Sequence, residues 1–295
     1  MLLEHTATRD GKLITFMRSE MGVSATLTKR LKLLEACRVN GELVRLYHRV
    51  SVGDRISISI EEQAPHYAAE EGALVILYED DAILVLDKPA GIIMHPTANR
   101  ESGMLANRIL FYYQQTDQKC DIHLVNRLDR DTFGVVLIAK NAHIHAKMSD
   151  HLINDRIAKT YHAAVFGHPA TDQGVICQPI ARLSDTSLLR CVREDGRYAK
   201  TTYQVLKETA ECSLLLLQPE TGRTHQLRVH CAYEGFPLLG DSQYGTEQSQ
   251  AFSLDHGYQT QQLCAVSLTF PHPMTSEIMT VTSRQKIELP DQKAN

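Results

Sequence analysis

Four charged residues crowd into positions 127–131: Arg127, Asp129, Arg130 and Asp131 stand directly ahead of the apolar run Val135–Lys140, VVLIAK. That run is short and rich in β-branched residues, so it predicts a buried strand. Charges at the mouth of a buried strand need solvent or a partner to receive them. A solvated loop with local ion pairs meets that need, and so does a site that uses a carboxylate. Gly134 marks the junction and supplies a backbone conformation that other residues resist. A second concentration lies in residues 219–245, PETGRTHQLRVHCAYEGFPLLGDSQYG. Gly222 breaks the preceding strand, and Thr224 is placed to cap a helix beginning near His225. Arg223 then sits at the helix mouth, where free N–H groups and the dipole favour an anion, with Arg228 one turn inside.

NRLDRDTFG, residues 126–134, resembles the HRLDRxTSG signature of the RluA-type pseudouridine synthases, which isomerise uridine to pseudouridine in RNA. The resemblance makes Asp129 the catalytic nucleophile. Asn126 stands where His is usual and Phe133 where Ser is usual, so loop geometry and substrate preference are open to change. GRTHQLRVH, residues 222–230, matches the family's GRTHQ-[IL]-R-x-H motif. That motif implies a basic partner for the carboxylate and contacts to RNA phosphate, from Arg223 and Arg228. Lys159-Thr160-Tyr161 matches K-x-Y, and the resemblance assigns Tyr161 to stacking on the target base. An extruded base loses its neighbours, and an aromatic face replaces them. Residues 87–96 match DKPxGxxxHP, where Lys88 and His95 read equally well as phosphate or substrate contacts and as structural loop residues. LCAVSLTFPHP, residues 263–273, resembles the family's closing strand.

Isomerising uridine breaks the N-glycosidic bond, turns the base and joins C5 to C1′. An Asp starts this either at C6 of the base or at the sugar, and the sequence leaves both routes open. The carboxylate must be ionised in a site dry enough for a flipped base; a paired Arg favours the charged form and offsets burial. Arg127 is placed to help draw the base out, by filling its place or gripping phosphate. The chemistry needs no metal, redox group or ATP, so no cofactor is expected. Asp129-Arg130-Asp131-Thr132 also invites comparison with the D-x-D-x-T motif of the Mg²⁺-dependent haloacid-dehalogenase-like phosphohydrolases. That reading needs an apolar strand before the first Asp, which His123, Asn126 and Arg127 interrupt, and a late acidic pair, whereas Glu79-Asp80-Asp81 comes early. A catalytically dead RNA-binding module makes no use of an Asp–Arg–Tyr set in three separated motifs.

These motifs need positioning by the elements around them. The family implies an α+β fold: a mixed, largely antiparallel sheet with flanking helices and a central cleft, over residues 74–295. Ahead of it, residues 11–38 carry helical spacing (Leu13, Phe16, Met17, then Leu27, Leu31, Leu34) broken around Gly22-Val23-Ser24. Thr26 or Thr28 is placed to cap the second helix. Arg18, Lys29, Arg30, Lys32 and Arg38 interleave with the apolar positions as a candidate RNA-binding face. Alternating residues follow, with turns at Asn40-Gly41 and Gly53-Asp54. Two helices followed by a strand pair resemble the S4 RNA-binding domain, so residues 1–62 are expected to be a small S4-like α/β domain. The polar, acidic stretch 63–73 reads as a linker.

The net charge of −4 argues at first against nucleic acid. Its distribution argues the other way: residues 1–60 hold ten Lys/Arg against six Asp/Glu, a net +4, which leaves −8 for the rest. The seven cysteines are odd in number, scattered and without a CxxC pair, so reduced thiols are expected. With no apolar run of spanning length and no signal-like N-terminal run, a cytoplasmic monomer acting on ribosomal or transfer RNA is expected, with neither DNA nor membrane as partner. His143, His145 and His151 lack the i,i+4 spacing of a helical metal pair, so a solvated helix face is the expectation there.

Overall fold

The hydrophobic core of residues 3–58 shares no residue with the cores of the rest of the chain. The computed structural model describes residues 2–23, 25–31, 36–59, 68–95 and 102–290. The first part contains β1 (Leu2–Thr6), β2 (Gly11–Lys12), α1 (Leu13–Ser19), α2 (Ala25–Leu31), β3 (Cys37–Val39), β4 (Glu42–Leu43), β5 (Arg49–Val50) and β6 (Arg55–Ser59). Its four-stranded sheet has the order β1-β6-β3-β4 and is antiparallel throughout. Leu13, Phe16 and Met17 of α1 pack with Leu27 and Leu31 of α2 over Ile56 and Ile58. Asn40 (φ 52°) and Gly41 (φ 87°) turn β3 into β4 in the left-handed conformation that a two-residue hairpin demands. Because α2 begins at Ala25, Thr26 and Thr28 lie inside it and not at its cap position, and Thr28 is buried. Arg18, Lys29 and Arg38 are exposed, with Arg38 donating to the Gly41 carbonyl at 3.1 Å. Arg30 falls within α2, and Lys32 lies outside the described residues.

The second part contains β7 (Ile76–Glu79), β8 (Ile83–Lys88), α3 (Leu105–Gln115), β9 (His123–Leu124), β10 (Phe133–Ala139), α4 (Ala142–Ile153) and β11 (Ala158–Phe166). It continues with β12 (Gln173–Ile176), β13 (Ile180–Arg182), β14 (Arg190–Val192), β15 (Thr201–Glu208), β16 (Cys212–Pro219), α5 (Gln226–Tyr233), α6 (Glu247–Asp255), β17 (Leu263–Pro271) and β18 (Ile278–Thr282). Ten strands form one sheet in the order β12-β15-β16-β11-β17-β10-β8-β7, with β18 on β17 and β9 on β10. Neighbours run antiparallel except β10 and β17, which pair in parallel only at Phe133↔Cys264 and Gly134↔Ala265.

All seven residues of β10 are buried, and from Val135 to Ala139 they alternate between two cores. Val136 and Ile138 pack with Leu105, Ile109 and Tyr113 of α3; Val135, Leu137 and Ala139 pack with Ile144 and Met148 of α4. Each large aliphatic side chain buried this way contributes about 1.5–3 kcal/mol, which fixes the register of β10 and hence the position of the charged loop ahead of it.

One expectation needs correction. The histidine face of α4 is not solvated. His143 is fully buried with neither ring nitrogen hydrogen-bonded, His145 stacks on His123 at 5.3 Å, and His151 is half-buried. The N-terminal part meets this face at Gly22: a Cβ there would lie 3.8 Å from His143 Cε1 and 3.5 Å from Lys147 Cε. Burial first, and then Lys147, pushes the His143 pKa down to about 4. Of the expected linker, residues 63–67 lie outside the described residues, and 68–73 are stitched to α3. Asn107 Nδ2 donates to Ala68 O at 2.7 Å, Glu70 N to Asn107 O at 3.1 Å, and Arg108 Nη1 to Ala73 O at 3.2 Å. Among the described residues no helix is long and apolar enough to cross a membrane.

Candidate active site

The loop ahead of β10 is pinned at several points. Asn126 Nδ2 donates to Val135 O at 3.1 Å while its Oδ1 accepts from Leu137 N at 2.8 Å, so the amide folds the loop back along its own strand. Lys88, fully buried at the end of β8, donates from Nζ to the carbonyls of Pro89 (3.0 Å), Arg130 (2.8 Å) and Thr132 (2.7 Å). Gln261 Nε2 donates to Thr132 Oγ1 at 2.7 Å. Gly134 has φ +107°, and a Cβ there would lie 2.3 Å from Ala265 O, so only glycine lets β10 and β17 meet. Asp129, between the pinned positions, keeps a partly open side chain, 29% exposed.

Arg228 projects toward it from α5. Nε and Nη2 bind Asp241 Oδ2 and Oδ1 at 2.7 and 2.8 Å, Nη2 also donates to Gln243 Oε1 at 2.7 Å, and Nη1 donates to Asp129 Oδ2 at 3.3 Å. The guanidinium lies 4.8 Å from the Tyr244 ring centroid. Burial works against its charge, but the hydrogen bonds and charge of Asp241, then Asp129, outweigh burial and hold the Arg228 pKa above its ordinary value. A buried guanidinium needs such a carboxylate fork, and here the fork also aims the remaining N–H at Asp129.

Tyr161 enters from β11 beside a register shift between Thr160 and Tyr161 against β17, the kind of irregularity that re-aims a side chain. Burial, and then the charge of Asp129, raises its phenol pKa. Arg223 donates from Nε to Tyr198 O at 2.8 Å. Arg127, Asp129, Tyr161, Arg223 and Arg228 all line one cavity of about 520 Å³, together with Asn126, Leu128 and His225. That volume lies in the range of roughly 300–1,000 Å³ that holds small-molecule ligands.

The proposed helix cap is different from the expected one. His225, in the left-handed conformation (φ 58°, ψ 19°), precedes α5, and no side-chain cap bond is made, so Thr224 does not cap it. Gln226 fastens the turn instead, accepting from Thr221 Oγ1 (2.7 Å) and Arg223 N (3.0 Å) and donating to Lys200 O (3.0 Å). Lys88 serves the loop from beneath, and His95 is exposed; neither lines the cavity. Arg18, Lys29 and Arg38 do not line it either. Among the described residues no group of three or more His, Cys, Asp or Glu is arranged to hold a metal ion.

A family model described as RNA pseudouridylate synthase matches residues 82–233, a span that includes Asp129, Tyr161, Arg223 and Arg228. The chain belongs to the RNA pseudouridylate synthase family. Its similarity to named members extends over most of its length. It is 36% identical over 267 residues to the uncharacterized RNA pseudouridine synthase YjbO of Bacillus subtilis, covering 88% of this chain and 90% of the relative. It is 34% identical over 257 residues to the ribosomal large subunit pseudouridine synthase D of Haemophilus influenzae, covering 82% and 79%. The solved structure of human RNA pseudouridylate synthase domain containing 1 superposes with a TM-score of 0.60 at 25% identity, covering 73% of this chain and 86% of that one.

Asp241, Gln243 and Tyr244, which hold Arg228, and His225, which lines the cavity, were not singled out by the motifs. The signal available was Gly240-Asp241: Gly240 has φ +73°, and a Cβ there would meet Thr260 O at 2.1 Å, so the segment following it must make a tight, fixed turn.

Proposed function

We propose that this pseudouridine synthase acts on uridines in structured RNA with Asp129 as the nucleophile. The observation that carries the assignment is the Asp129–Arg228 contact, 3.3 Å, inside a cavity that Tyr161 also lines. Arg228 is held from behind by Asp241, so its charge stays in place when the base enters and water leaves. Tyr161 supplies the aromatic face for the extruded base. Arg127, exposed at the cavity edge, grips phosphate or fills the space the base vacates, and Arg223 contacts RNA phosphate. The N-terminal part serves as an S4-like RNA-binding domain through Arg18, Lys29, Arg30, Lys32 and Arg38. The name of the Haemophilus influenzae relative favours large-subunit ribosomal RNA over transfer RNA as the substrate. Mapping pseudouridines in total RNA from cells with and without the protein tests this. The expected result is loss of specific ribosomal sites; loss confined to transfer RNA would replace the ribosomal assignment, and unchanged maps would contradict the function.

A further inference from the structure

Asp129 has a second neighbour. His225 Nε2 lies 4.0 Å from Asp129 Oδ2, the same oxygen that Arg228 Nη1 reaches at 3.3 Å. His225 occupies left-handed backbone (φ 58°), a conformation that is strained for a residue with a Cβ, and such strain concentrates where geometry serves function. Its ring orientation is also fixed. Nδ1 lies 2.7 Å from Tyr244 Oη, and Tyr244 Oη accepts from Arg190 N at 2.8 Å. Accepting from Arg190 N leaves the Tyr244 hydroxyl proton to donate to Nδ1; in that tautomer the imidazole proton sits on Nε2, the nitrogen facing Asp129. The charged groups around the ring are Asp129, Arg228, Arg190 and Asp241; burial leads, and the net effect lowers the His225 pKa. In that tautomer the neutral ring is a donor toward Asp129. It can orient the carboxylate without adding a second full positive charge that would weaken it as a nucleophile.

We propose that His225 is a positioning residue for Asp129: its Nε2–H, held in that tautomer by Tyr244, binds Oδ2 when RNA closes the site, leaving Oδ1 to attack. Closing the gap takes about 1 Å, and such hydrogen bonds are often long before substrate binds. This rests on Asp129 being the nucleophile.

The test uses full-length protein and bulk RNA from cells lacking it. His225→Gly removes the imidazole and accepts left-handed backbone without strain; Tyr244→Phe removes the hydroxyl but keeps the ring beside Arg228. A hydrogen bond to a charged group is worth enough that His225→Gly should lower kcat by about tenfold or more, with KM and Tm little changed. Tyr244→Phe should lower kcat less, and the double variant should be no slower than His225→Gly alone, because both act through one bond. A His225→Gly kcat within about twofold of wild type, losses that multiply in the double variant, or a loss that appears in KM and Tm instead, overturns the proposal. Asp129→Asn run in parallel separates the two failures. If it forms pseudouridine, the nucleophile assignment falls; if it is inert while His225→Gly is fully active, only the role of His225 falls.

Discussion

Lys88 places a buried ammonium under the loop that carries Asp129, with three backbone carbonyls around it. Burial pulls its pKa from the ordinary 10.5 down to about 8, against the opposing charges of Asp131 and Asp129. Between those two values the unfolded chain holds a proton that the folded chain has released. The contribution of this group to stability therefore rises as pH climbs from about 8 to 10.5. Deprotonation also removes one donor from a set of three carbonyls, so kcat should fall over the same range while this stability contribution grows. Comparing Tm against pH for wild type and Lys88→Met checks the sign: relative to the variant, wild type should gain stability toward pH 10. Parallel curves would contradict it.

At the scale of elements, β10 depends on both its apolar pattern and one glycine. Gly134→Ala combines a left-handed φ of +107° with a Cβ only 2.3 Å from Ala265 O. The expected cost is about 3 kcal/mol or more, read by urea unfolding, with kcat falling as the loop anchor moves. A loss below about 1 kcal/mol would mean that β10 and β17 separate easily.

β10 itself was legible, because an apolar β-branched run leaves a local mark, and so were the Asn40-Gly41 turn and the motif positions of Asp129, Tyr161 and Arg228. The roles of Lys88 and Asp241 were not. Each acts through contacts far away in sequence, such as Lys88 to Thr132 and Arg228 to Asp241, which leave no periodicity. His225 was missed for a different reason: Thr224 has the better capping chemistry, yet the turn is held by Gln226. The histidine face of α4 looked solvated because polar residues at helical spacing do not reveal that another part of the chain covers them.

For the whole molecule, the N-terminal core shares no residue with the cores of the rest, and charge is divided between the same two parts, with net +4 in residues 1–60. Phosphate contacts give an affinity that falls with salt roughly as the number of charges neutralised. Deleting residues 1–62 should therefore raise KM, flatten its salt dependence and leave slow turnover at high RNA concentration. Exposure of His143 and its surroundings on α4 should lower Tm modestly. KM and kcat at two salt concentrations decide the matter. A collapsed kcat with binding and its salt slope intact would make the N-terminal part a component of the active site.

The central claim is that the Asp129 carboxylate performs the isomerisation, and Asp129→Asn tests it most directly. The amide is nearly isosteric and can still face Arg228, so folding and RNA binding should change little. Pseudouridine formation should fall below a few per cent of wild type, since an amide cannot act as the nucleophile. Pseudouridine formed by Asp129→Asn above that level, at the positions modified by the wild type, would contradict the account.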